Sequence, residues 1–184
     1  MRKLLLLFYL FSCISTTIYS KTWTRMQSWG LDFESISWID TNLGFIVGEN
    51  LIIRTGNGGL SWEEYPISFQ GKLKSVDFWN KELGVRVGDN GLIYRTADGG
   101  ENWMLIPNIN STNLLNVGFT NSSRLIATGA IGTILRSNDS GQNWSTIISG
   151  SYLNLNDLFI INTDTSFIAD DQGRILRSID GEQK

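Results

Sequence analysis

Four arginines, Arg54, Arg95, Arg136 and Arg177, stand 41 residues apart, and each opens a similar turn sequence. The segments read RTGNGGLSW over 54–62, RTADGGENW over 95–103 and RSNDSGQNW over 136–144, followed by a worn copy, RSIDGEQK, over 177–184. One supersecondary unit is therefore repeated along the chain. Units of this length built from short apolar strands cannot bury their faces alone, so they stack against one another around a shared axis. The expected fold is all-β: a β-propeller of four-stranded blades, about four of them, as a closed small ring or an incomplete larger one.

Within each repeat the apolar residues alternate over four to six positions between Gly, Asn and Asp, the pattern of antiparallel strands, and no stretch carries helical periodicity. The alternation predicts strands over 35–39, 44–47, 51–55 and 62–67, then 74–78, 84–87, 92–96 and 103–106. A third set falls over 114–119, 124–128, 133–137 and 144–148, and three more strands over 157–161, 165–169 and 174–178.

The turn between third and fourth strands has its own chemistry. Asp98 can fold its carboxylate back onto amides of its own turn, and Gly99 and Gly100 tolerate positive φ. Trp103 then supplies an apolar plate that closes the hairpin over a neighbouring sheet. The structural set is Asn57, Gly59 and Trp62 in the first copy, Asp98, Gly100 and Trp103 in the second, and Asp139, Gly141 and Trp144 in the third. The fourth keeps Asp180 and Gly181 but has Glu182 where the others have glycine, so its turn is expected to be looser.

These residues resemble the Asp-box, or BNR repeat, Ser/Thr-x-Asp-x-Gly-x-Thr-Trp. The upstream context, VDFWNKELGVRVGDNGLIYRTADGGENW, is similar to the repeat of the photosystem II assembly and stability factor family, and the likeness runs from Trp23 to the end of the chain. The resemblance implies a propeller that scaffolds a membrane or envelope assembly without catalysing a reaction. It does not imply a photosynthetic role, because exported proteins of non-photosynthetic bacteria also carry this repeat. Family members usually have seven blades, which sets an incomplete arc against closure by the chain itself. For closure, residues 23–27, opening on Trp23, would pair with 174–178 as the missing outer strand, because an unpaired sheet edge invites association.

Composition removes several function classes. The chain has no histidine, which excludes Ser-His-Asp, Cys-His and histidine-ligated metal chemistry. Net charge is −3 with Lys and Arg scattered, so no basic stripe suits nucleic acid. Residues 1–20 read as an export signal: Arg2 and Lys3 precede a short apolar run, and the mature fold would be 21–184. Two routes remain open. Cleavage after Ser20 gives a soluble periplasmic or secreted protein, whereas Leu10-Phe11-Ser12-Cys13 resembles a lipobox, which would make Cys13 a lipid anchor.

Each candidate site has a structural reading beside it. The four arginines could offer guanidinium forks to an acidic partner, but repetition in phase favours bracing of the box or the adjacent blade. Asp98, Asp139 and Asp180 read as turn caps, since no second carboxylate accompanies each as a calcium loop requires. Glu63-Glu64 and Asp170-Asp171 point to opposite faces of a strand and form no catalytic dyad. Sialidases share the Asp-box, but their Phe-Arg-Ile-Pro motif is missing, and Tyr65, Tyr94 and Tyr152 all have easy packing roles. No catalytic, metal or cofactor-binding residue is expected.

Aromatics that break the repeat, Trp29, Trp38, Phe69, Trp79 and Tyr152, are the remaining clue to a partner. Trp38 and Trp79 occupy neighbouring aligned positions and read as inter-blade packing. Phe69 and Tyr152, in connections between blades, are the better candidates for contact with a protein partner. The alternative function is a carbohydrate-binding or vestigial sialidase-like module.

Overall fold

The computed structural model describes residues 30, 32–49, 51–66, 71–107 and 110–179. The leader, Cys13, the closing strand expected over 23–27, Trp29, Phe69 and Asp180 lie outside the described residues.

The described residues form four consecutive antiparallel sheets, each with its strands in sequence order. The first holds β1 (Phe33–Trp38), β2 (Gly44–Gly48), β3 (Leu51–Thr55) and β4 (Glu63–Pro66). The second holds β5 (Leu73–Phe78), β6 (Gly84–Gly88), β7 (Ile93–Thr96) and β8 (Met104–Leu105). The third holds β9 (Leu114–Phe119), β10 (Leu125–Gly129), β11 (Thr133–Ser137) and β12 (Ser145–Ile148). The fourth has three described strands, β13 (Leu155–Ile160), β14 (Ser166–Asp170) and β15 (Ile175–Ser178).

The first strands β1, β5, β9 and β13 touch in succession, so the sheets fan from a shared inner edge. The same inner position makes the cross-link each time. Ser35 Oγ accepts from Val76 N at 3.4 Å, Ser75 Oγ accepts from Val117 N at 3.2 Å, and Asn116 Nδ2 donates to the Asn156 carbonyl at 2.8 Å. Apolar residues alternate to both faces of each sheet, and the core is divided into three clusters between sheets. One joins Phe45 and Val47 to Val76 and Phe78, the next Val85 and Val87 to Val117 and Phe119, and the last Ile126 and Ile134 to Leu155 and Ile168. None of these clusters joins the fourth sheet to the first, so the described residues form an open arc.

Two sequence expectations need adjustment. The outer strands begin one residue after Trp62, Trp103 and Trp144, not on them, because each indole turns back over its turn; Trp144 Nε1 donates to the Gly141 carbonyl at 3.1 Å. Trp38 and Trp79 are also not equivalents. Trp38 pairs with Gly44 as Phe78 pairs with Gly84, and it meets Trp62 edge-on at 5.9 Å much as Phe78 meets Trp103 at 5.8 Å. Gly84 pairs with Thr96 but Gly44 with Thr55, so the hairpin joining second and third strands is one residue shorter in the first sheet. A constant offset of 41 therefore misaligns the first strands. Trp79 lies one residue beyond β5, tilted over Phe119 at 6.3 Å.

Candidate functional site

The box turns are closed by their own side chains. Thr96 Oγ1 accepts from Gly100 N at 3.0 Å and donates to Asp98 Oδ1 at 2.7 Å. Asp98 Oδ1 also accepts from Asn102 N at 2.9 Å, and its Oδ2 accepts from Asn102 Nδ2 at 2.8 Å. Ser137, Asp139, Gly141 and Asn143 repeat this arrangement, with Asn143 Nδ2 to Asp139 Oδ2 at 2.7 Å. In the first box Asn57 Oδ1 accepts from Thr55 Oγ1 and Ser61 N, while its amide donates to Ser61 Oγ. Burial alone would raise the pKa values of Asp98 and Asp139. The hydrogen bonds from Asn102 and Thr96, and from Asn143 and Ser137, outweigh it and hold both carboxyls below their ordinary value.

The second and third turns are also seated on the sheet before them. Gly100 has φ +84° and Gly141 φ +85°, in the left-handed region that favours glycine. A Cβ at Gly100 would lie 2.8 Å from Phe45 Cε1 in the first sheet, and one at Gly141 2.8 Å from Val85 Cγ2 in the second. Glycine is thus required twice, by the turn and by the neighbour. Within its own sheet the box rests on the first hairpin, through Gly58 N to the Asn42 carbonyl, Gly99 N to the Glu82 carbonyl and Ser140 N to the Ser123 carbonyl. That hairpin carries a repeated cap the sequence reading missed. Asp40, Asn80, Asn121 and Asn162 each accept two backbone N–H groups through Oδ1, at 2.8 to 2.9 Å.

The arginines occupy one register position per sheet, opposite Phe45, Val85, Ile126 and Phe167, on the face turned to the next sheet. Arg54 Nη1 donates to Tyr65 Oη at 3.0 Å, and Arg95 Nε donates to the Ser140 carbonyl of the third sheet at 2.7 Å. Arg136 is half-buried and lines a polar cleft of about 400 Å³ with Asn121, Ser123, Arg124 and Asn138, whereas Arg177 is exposed. The arginine that sequence reading passed over is Arg86. It is 1% exposed and lies between the rings of Tyr94 at 4.6 Å and Trp103 at 4.4 Å, and burial lowers its pKa to about 9.

Tyr152 is 89% exposed in the connection from β12 to β13. With the exposed Ile131 and Ile148 it lines an apolar cleft of about 310 Å³ floored by Gly132 and Ile147. The cleft is a loop patch with large apolar side chains in which no box residue takes part.

Successive sheets fanned about one inner edge, with the Asp-box turns of the second and third stapled to the sheet before, define a β-propeller of the Asp-box repeat class. The chain belongs to the photosynthesis system II assembly factor YCF48 family, whose model matches residues 16–110. Among solved structures, YCF48 bound to D1 peptide is similar at 23% identity and TM-score 0.67, over 77% of this chain and 47% of that one. YCF48 from Cyanidioschyzon merolae is similar at 16% identity and TM-score 0.70, over 83% and 52%. The chain thus spans about half the length of these relatives. The Niastella koreensis GH74 enzyme shares the fold at 15% identity and TM-score 0.70, over 80% of this chain and 28% of that one. No curated protein matches the chain.

Proposed function

We propose that this chain is an exported, non-catalytic scaffold that binds a polypeptide partner of an envelope or membrane assembly through the cleft around Tyr152. The observation that carries the reading is the cleft of Ile131, Ile148 and Tyr152, exposed by 64%, 94% and 89%, on a member of a family in which one protein is bound to a D1 peptide. An exposed aromatic flanked by aliphatic side chains is the usual anchor of a peptide interface, since it buries large area at low entropic cost. The box carboxylates and hydroxyls are spent on closing their turns, which supports a structural role for the repeated polar residues. Export follows from the pattern of residues 1–20, with either cleavage after Ser20 or acylation of Cys13, which intact-mass analysis of the mature protein distinguishes.

Titration of a fluorescent D1 peptide into the purified chain tests the reading. Saturable binding is expected, weakened at least about tenfold by Tyr152→Ala or by Ile148→Ser, the loss typical of truncating an interface anchor. Binding that both variants leave intact would overturn the assignment of the cleft. Saturable binding of a glycan in place of any peptide would overturn the protein-scaffold reading in favour of a carbohydrate-binding module.

A further inference from the structure

We propose that the polypeptide partner adds a fifth strand to the third sheet, pairing its main chain with the outer edge of β12 and running on into the cleft of Ile131, Ile148 and Tyr152. The inference rests on the peptide reading of that cleft and names the form in which the peptide is held. It comes from where the two prolines of the chain stand.

The outer strands of the first three sheets share one register. Arg54 pairs with Glu63, Arg95 with Met104 and Arg136 with Ser145, so Pro66, Pro107 and Ile148, each three residues further along, are equivalent. In the second sheet Ile106 N donates to the Ile93 carbonyl at 2.9 Å, which makes these two a hydrogen-bonded pair. Main-chain groups of an antiparallel strand point alternately to its two edges. Position 107 therefore turns its main-chain nitrogen away from β7, and its equivalents at 66 and 148 do the same. Both prolines thus stand where a free N–H would face outward, the place on an edge where proline is tolerated and blocks further pairing.

The third sheet has no such block. Ile148 keeps its N–H, and with Thr146 two residues before it presents donors and acceptors along that edge at the spacing of a β-ladder. These groups meet no partner among the described residues. The other two outer strands are guarded a second time: β4 carries Glu63 and Glu64, and β8 is two residues long, whereas β12 is the uncharged run Ser145, Thr146, Ile147 and Ile148.

The strand ends in the cleft, which Ile147 and Ile148 line. The turn beside it also differs from its equivalent. Asn90-Gly91, with φ 57° and 69°, and Ile131-Gly132, with φ 53° and 66°, have the left-handed pair of a type I′ hairpin, which asparagine-glycine favours. Isoleucine is an outlier in that conformation, and it sets an apolar side chain, 64% exposed, on the wall of the cleft. The occupant that fits is an extended segment of the partner, whose main chain matches the edge, with uncharged side chains along β12 and an apolar one beyond its end.

N-methylation of the fluorescent D1 peptide, one residue at a time, tests the proposal on the purified chain. Methylation is expected to weaken binding about tenfold at every second residue of the paired run, where the N–H faces β12, and by less than about twofold at the residues between. Thr146→Pro removes an outward N–H outside the cleft and is expected to weaken binding about tenfold, whereas Thr146→Val keeps it and changes binding less than about twofold. The methylation series does not depend on either variant. Binding that Tyr152→Ala weakens but that shows no alternation along the peptide would overturn strand addition and leave the peptide reading of the cleft standing. Unchanged binding in Thr146→Pro would do the same. Absence of saturable binding to the unaltered chain would overturn both.

Discussion

Arg95 of β7 donates its Nε–H to the Ser140 carbonyl at 2.7 Å, so the second sheet holds the box turn of the third by a charge-assisted bond. Repetition of the four arginines with the period of the boxes has its physical basis here: the residue one step before a turn faces the sheet that follows and can reach that sheet's turn. Arg54 shows the variation the position allows, since it bonds Tyr65 of its own sheet instead.

Arg95→Met keeps the aliphatic stem and removes the donor. A loss of about 1.5–3 kcal/mol is expected, the range for a hydrogen bond with one charged partner. Urea unfolding measures it, and an unchanged midpoint would show that the second sheet does not brace the third through this bond.

The carboxylates give stability two opposing dependences on pH. Asp98 and Asp139 have folded pKa values depressed below 3.8, so their contribution is present above that pH and is lost as pH falls through the depressed values. Asp77 is the reverse. Burial raises its pKa, against the hydrogen bonds from Phe119 N, Phe78 N and Ser37 Oγ, so its contribution is present below 3.8 and lost as pH rises through the raised value. Asp77→Asn keeps an acceptor for Phe119 N and removes the buried charge, so its stability relative to the unaltered protein should increase from acid to neutral pH. Asp98→Asn, which installs the residue the first box already uses at Asn57, should flatten the acid limb. Unfolding midpoints measured across the acid range check both signs, and parallel curves for all three proteins would contradict them.

The fold was legible because its markers are local. An arginine, a hydroxyl, an Asp or Asn, a glycine and a tryptophan recur at fixed spacing, and apolar alternation between them marks the strands. The features that escaped depend on partners distant in sequence. Arg86 alternates with Val85 and Val87 and reads as a solvent-facing charge; the ring of Tyr94 on the next strand and that of Trp103 beyond the turn, both facing its guanidinium, help make its burial workable. Asp40, Asn80, Asn121 and Asn162 recur with spacings of 40, 41 and 41, a signal present in the chain but hidden by dissimilar flanking residues. The same one-residue difference misaligned Trp38 with Trp79. Tyr152 was found because it breaks the repeat, whereas Ile131 and Ile148, ordinary strand and turn residues by type, gain their place only when the hairpin and the following loop converge.

The central claim is that the second and third box turns are wedges seated on the preceding sheet, and a pair of glycine substitutions isolates that seat. Gly100 and Gly173 share a left-handed backbone, φ +84° and +72°, but a Cβ at Gly100 would meet the buried Phe45 ring at 2.8 Å, while none of the surrounding atoms lies within 4 Å of one at Gly173. Both alanine variants carry the left-handed strain of about 1–2 kcal/mol. Gly100→Ala adds overpacking of about 1–3 kcal/mol. Urea unfolding should therefore place Gly100→Ala well below Gly173→Ala, and equal destabilisation of the two would contradict the wedge.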